Sequence, residues 1–124
     1  MRAKINHYRD PVLLRMAAME YCLLQVPGVC NNDRMTTVAA HSNQSKHGKG
    51  MGIKAEDCYT VWACHRCHTW LDQGNASQDE KVNAWNWGHE RQIREWRRIL
   101  RDTDRADLYR SAVAKVLKHL GAMP

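Results

Sequence analysis

The sequence predicts a small α+β fold in which a zinc-stapled β-hairpin is joined to helices on either side. Three observations lead to it. Two short β-prone runs, Thr36-Thr37-Val38-Ala39-Ala40 and Tyr59-Thr60-Val61-Trp62, flank a Gly48-Lys49-Gly50-Met51-Gly52 loop. Cys64-His65-Arg66-Cys67 has the two-residue spacing of a zinc knuckle. From Ser77 onward, apolar residues recur at three- and four-residue steps, the period of an amphipathic helix.

Each element has its own warrant. Asp10 precedes Pro11, an N-cap followed by proline at the first helical position, so a short helix of about two turns is expected over 11–19. Pro27-Gly28 marks a turn. The two β-prone runs form a hairpin with an irregular, glycine-rich connection, and a further helix begins near Cys67. Ser77-Gln78-Asp79-Glu80 reads as a capping signature. In the helix it opens, Val82, Trp85, His89, Ile93, Trp96 and Leu100 form one stripe, while Arg91, Arg94, Arg97, Arg98 and Arg101 cover much of the remainder as a basic exterior. Gly88 is expected to weaken its middle by roughly 1 kcal/mol relative to alanine. Asp102-Thr103-Asp104 ends it, and a last helix over 105–120 closes on Gly121.

The chain has 124 residues, the size of one domain. With 19 Lys plus Arg against 13 Asp plus Glu, its net charge is +6, and five Trp accompany no Phe. That balance suits an anionic partner, nucleic acid first, although the same arginines can simply coat solvated helix faces. Apolar residues make up 44% and charged residues 26%, with no long apolar run, which disfavours a membrane span and a disordered chain. The basic start, Met1-Arg2-Ala3-Lys4-Ile5-Asn6-His7, leads into no apolar signal core, so a cytoplasmic location without a membrane partner is expected.

Five cysteines in such a chain favour metal ligands over a disulfide framework. Cys22 and Cys30 enclose the Pro27-Gly28 turn and, with Cys64 and Cys67, make a four-sulfur set suited to a structural zinc between the N-terminal segment and the hairpin. Cys58 is left over as a small core residue. Cys64-His65-Arg66-Cys67-His68 also fits a c-type haem attachment site, but that reading leaves Cys22 and Cys30 unexplained. Trp62 and Trp70 are expected to fill the core beside the zinc.

His68 and Asp72 are four residues apart, so on a helix they share a face and can share an ion, unless His68 packs and Asp72 is merely solvated. A nitrogen and oxygen donor pair suits a divalent cation that keeps waters and substrate oxygens. His41 ends the first β-prone run, where an imidazole can act as a base. The glycine-rich loop, with His47, Lys49 and Lys54, either lays amides and cations against a phosphate or is a flexible connection.

Together, Cys22, Cys30, Ala40-His41, Cys64-x-x-Cys67-His68 and Asp72 resemble the HNH, or ββα-metal, nucleases, most closely the small phage and prophage HNH proteins related to the RecA-dependent nuclease Ref. Val26-Pro27-Gly28-Val29-Cys30-Asn31, Ala40-His41-Ser42-Asn43 and Trp70-Leu71-Asp72-Gln73-Gly74 carry the same likeness. The resemblance implies a single HNH nuclease domain over 1–124, with its core at 21–75 and a helical extension at 77–120. It implies His41 as general base, His68 and Asp72 as ligands of a catalytic Mg2+, Mn2+ or Zn2+, and Cys22, Cys30, Cys64 and Cys67 as structural zinc ligands. Many members carry a further ligand directly before the base, where this chain has Ala40; His47, His65 or Asp57 could supply it, or water could fill the place. The implied activity is metal-dependent cleavage of DNA in recombination or processing within a bacterial host cell, with a RecA-type filament as a possible partner. The alternative is a non-catalytic zinc module on the same fold that binds DNA or a recombinase.

Overall fold

The computed structural model describes residues 6–124, so residues 1–5 of the basic start lie outside the described residues. In chain order the elements are α1 (Pro11–Arg15), β1 (Val38–His41), β2 (Thr60–Ala63), α2 (His65–Gln73), α3 (Gln78–Arg101) and α4 (Asp107–His119), with single 3-10 turns at Arg34–Thr36 and Ser45–His47. Among the described residues, no helix is long and apolar enough to cross a membrane.

α1 starts as expected. The Asp10 carboxylate accepts from the Val12 and Leu13 amides, and Pro11 has no N–H to satisfy. It stops after about one turn rather than two. The chain reverses through Met19, at φ 65°, so that the Leu23 and Leu24 amides can reach the Trp62 carbonyl at 2.7 and 3.2 Å.

β1 and β2 pair antiparallel with His41 opposite Thr60 and Val38 opposite Ala63. The first strand is displaced from its expected position. Thr36 lies in a 3-10 turn whose hydroxyl donates to Asp33 and accepts the His65 amide at the start of α2, so Thr36 and Thr37 leave the ladder.

β2 is buried along its whole length, and its side chains divide between two cores. Val61 and Ala63 pack with Leu24, Val26, Leu71, Trp85 and the cysteines, while Trp62 packs with Leu13, Trp96, Ile99, Val113, Val116 and Leu117. This is the period-two alternation of a strand with both faces covered. Trp62 therefore serves the α1–α3–α4 side and not the cysteine side, where Trp70 packs. The outer edge of β2 is also covered, because the Gln92 side chain accepts from the Trp62 amide at 2.9 Å.

α3 begins at the predicted cap, with Ser77 Oγ accepting from the Glu80 amide. Gly88 is a packing requirement in this helix. A Cβ there would lie 3.0 Å from Val61 Cγ1 and 3.2 Å from Leu24 Cδ1, so only glycine lets α3 approach β2 this closely. The helix breaks at Asp102, and α4 returns across it to Gly121, whose φ of 67° is left-handed.

The expected basic exterior is largely spent on structure. Arg91 donates to the Leu23 and Leu24 carbonyls, Arg97 to the Ala122 carbonyl, and Arg98 to Glu95. Arg94 and Arg101 remain exposed.

Candidate active site

Pairing with Thr60 holds His41 at the end of β1, its side chain 19% exposed. His41 Nε2 lies 2.8 Å from Asp57 Oδ1. Asp57 is nearly fully buried; its Oδ2 accepts from the Asp10 amide at 2.8 Å and its Oδ1 also meets Arg9 at 3.3 Å. Burial pushes the Asp57 carboxyl up, yet the bonds from His41 and the Asp10 amide outweigh it and hold it below its ordinary value. An ionised carboxylate can only accept, so Nε2 carries the proton and the lone pair is left on Nδ1. For His41 itself, burial outweighs the attraction of Asp57, and Lys54 and Arg9 add to it, so the imidazole falls below its ordinary value. It is a neutral base at pH 7.

α2 supplies the second half of the site. His68 and Asp72 project from successive turns, with Nε2 and Oδ2 3.1 Å apart. Two oxygen or nitrogen ligands at about 2.1 Å from one ion, in adjacent positions, stand about 3 Å apart, so the pair has the spacing to share a cation. The bond to Asp72 raises His68, and the bond from His68 leads the effects that lower Asp72. Asn43 Nδ2 donates to the other carboxylate oxygen at 2.9 Å and fixes its rotation. Among the described residues, no third His, Cys, Asp or Glu joins this pair.

One cleft of about 230 Å3 is lined by His41, His68 and Asp72 together with Asn43, Lys49 and Lys54. Its rim is cationic and its floor holds a neutral base and a donor pair, an arrangement that can take an anionic ligand and move a proton beside it. The other residues considered lie elsewhere. His47 bonds Ser42 Oγ at 2.7 Å and stacks on Tyr59, His65 is exposed at the start of α2, and Asp57 is engaged behind His41. Ala40 is fully buried in the cysteine-side core.

The four cysteines converge. The Sγ atoms of Cys22, Cys30, Cys64 and Cys67 lie within 4.8 Å of one another and can hold a metal ion. The Cys30 to Cys64 separation of 3.9 Å is far beyond an S–S bond and close to the ~3.8 Å edge of a tetrahedral Zn–S4 site. Backbone amides of Gln25 and Val26 point at Cys22 and Cys67, both at 3.5 Å, as donors toward thiolates. Hydrogen bonding from Cys67 leads the effects that pull the Cys22 thiol down, while the same bond pushes Cys67 up and burial raises Cys30, so without an ion the cluster gathers its negative charge on Cys22.

Asn43 and the partnership of Asp57 with His41 were not foreseen from the sequence. Asn43 follows His41 by two residues, the same-face spacing of an extended chain, and that signal was available. Nothing local links Asp57 to Arg9 and Asp10, 48 and 47 residues away.

A family profile described as "Putative nuclease YbcO" matches residues 12–104. One solved structure, described as "Structure of a putative bacteriophage protein from Escherichia coli str. K-12 substr. MG1655", is 24% identical, covers 65% of this chain and 90% of its own, and superposes with a TM-score of 0.52. That likeness is one of fold. No curated protein matches the chain.

Proposed function

The chain belongs to the family described as "Putative nuclease YbcO", and from that premise we propose that it is a phage-type, metal-dependent DNA endonuclease of the HNH kind. The observation that carries this reading is the meeting of the His41–Asp57 pair and the His68–Asp72 pair in one lysine-rimmed cleft.

In this reading His41 Nδ1 takes a proton from the attacking water, while Asp57 holds the ring through Nε2 and stabilises the imidazolium that forms. His68 and Asp72 hold a divalent cation, Mg2+, Mn2+ or Zn2+, which when bound supplies charge neutralisation at the phosphate and the leaving 3′ oxygen. Asn43 keeps the Asp72 carboxylate turned toward its partner. Lys49 and Lys54 receive the DNA backbone. Cys22, Cys30, Cys64 and Cys67 hold a structural zinc that fixes the start of α2, and with it His68, relative to β2. DNA is the substrate, action on recombination intermediates is its setting, a RecA-type filament is a candidate partner, and the bacterial cytoplasm is the place of action.

The burial of Ala40 and the two-residue donor set favour one second reading, a zinc-containing DNA- or recombinase-binding module without turnover. Nicking of supercoiled plasmid with Mg2+, Mn2+ or no added ion separates the two. The nuclease reading expects ion-dependent nicking that falls by about 10²-fold or more in His41→Ala and in Asp72→Ala, with zinc content unchanged. Absence of nicking in every ion, on single- and double-stranded DNA and with a recombinase filament present, assigns the chain to the binding module.

A further inference from the structure

Outside the cleft and the four-cysteine cluster, a second convergence of metal-ligating side chains stands at the edge of the α1–α3–α4 core, on the turn that carries Asp57. Ligand atoms of Glu56, Cys58 and His119 lie within 4.8 Å of one another. We infer that these three residues form a second metal site, selective for a borderline divalent ion such as Zn2+, which clamps the end of α4 to the turn carrying Asp57.

Each donor is held by a different constraint. The Tyr59 amide closes the turn on the Glu56 carbonyl at 2.9 Å, which fixes Cys58 between them. The Tyr8 amide donates to Glu56 Oε1 at 3.2 Å and orients the carboxylate. His119 is the last residue of α4, anchored where the Ala122 amide bonds the Leu117 carbonyl at 2.8 Å and Arg97 bonds the Ala122 carbonyl, and its ring packs 4.6 Å from that of Tyr8. Prearranged donors lower the ordering cost of capturing an ion.

The site is distinct from the zinc cluster of the other core. Cys58 belongs to the α1–α3–α4 cluster, whereas Cys22, Cys64 and Cys67 belong to the other. A buried thiol serving only as a small apolar residue does not account for a carboxylate and an imidazole converging on it. Exposure is graded, from fully buried Cys58 through half-buried Glu56 to exposed His119, which gives an ion a route in from the His119 side.

Sulfur, nitrogen and oxygen donors together favour Zn2+ and disfavour Mg2+ or Ca2+, which take oxygen sets. Binding converts the Cys58 thiol to thiolate and releases its proton to solvent, so uptake strengthens as pH rises. Three protein donors leave a fourth position for water.

Native mass spectrometry of the full chain, equilibrated with Zn2+ in excess Mg2+, tests this directly. His119→Ala changes an exposed residue and should leave the helical circular dichroism unaltered. It is expected to carry one Zn2+ fewer per chain than wild type, as is Cys58→Ser. With Co2+, the thiolate charge-transfer absorption should rise from four contributing sulfurs to five in wild type and stay at four in Cys58→Ser. Equal zinc counts in wild type and a folded His119→Ala overturn the site. So does an additional ion that is lost from His68→Ala and retained in His119→Ala. Neither readout depends on nicking activity, so the site and the nuclease reading fail separately.

Discussion

At His41 the 2.8 Å bond to Asp57 fixes the tautomer and opposes burial, the first by geometry and the second by charge. Burial lowers the imidazole's affinity for a proton, and Asp57 partly restores it. In the nuclease reading the free base does the work, so the rate should rise with pH through the His41 titration, which lies below 6.5, and then level off. Asp57→Asn removes the charge that raises His41 and permits the ring to flip its tautomer. Its acid limb should move to lower pH while the plateau falls by about 10- to 100-fold. A pH–rate profile of plasmid nicking, with folding verified by thermal melts, checks both parts. A merely structural Asp57 would lower the amount of active protein and leave the limb in place. His41 stood out in the sequence because it ends a β-prone run; its partner did not, since Asp57 reaches it across the hairpin connection and is steadied by Arg9 and Asp10 from the far end of the chain.

At the scale of elements, Gly88 reverses the sign that propensity alone assigns. In an isolated helix, glycine to alanine would gain roughly 1 kcal/mol. Here the added methyl would press on Val61 and Leu24, both buried, and on the Leu23 carbonyl that Arg91 already bonds. Gly88→Ala should therefore destabilise by about 1–2 kcal/mol, read as a lowered urea midpoint at unchanged slope. Elements whose signals are local were legible: Asp10 and Pro11 open α1, Ser77 opens α3, and Asp102 ends it. Where a residue answers to a distant partner the local signal failed. Thr36 and Thr37 have strand-prone side chains, but Thr36 is drawn off to serve the His65 amide. The helical period makes the arginines of α3 a basic exterior, open to an anionic partner or to solvent, because nothing in it reveals carbonyls at Leu23, Leu24 and Ala122. The cysteines escape this failure: Cys64 and Cys67 carry a knuckle spacing, Cys22 and Cys30 enclose a turn, and the fold brings the two pairs together. Removing the ion that the four can hold should expose both effects at once. A strong chelator is expected to lower the melting temperature and to loosen α2 first, seen as faster amide exchange at His68 than at Trp96.

Taken as a whole molecule, the protein carries three histidines that folding makes less basic. Burial leads the lowering of His41, His47 and His89, and it takes His47 to about 4. His47 lies between Ser42 Oγ at 2.7 Å and the Tyr59 ring at 4.0 Å, and His89 stacks on Trp85 with Nε2 on the Cys58 carbonyl. The unfolded chain binds these protons near pH 6.5, more tightly than the folded one, so the stability that the neutral rings contribute is complete above 6.5 and lost as pH falls toward 4. His68 opposes this trend, since Asp72 raises it, but its contribution is exposed and screened. Asp57 and Asp72, both lowered, protect the fold until the pH drops below their ordinary value of 3.8 and are lost only beneath it. The melting temperature should accordingly fall between pH 6.5 and 4.5. Acid also releases metal from thiolates, and that loss acts on every variant with intact cysteines. The comparison of wild type with His47→Gln therefore isolates the imidazole: the variant keeps a polar partner for Ser42 and cannot gain a proton. Its melting temperature should depend less steeply on pH over that interval, and parallel curves for the two proteins would mean that His47 takes up its proton in the folded state as readily as in the unfolded one.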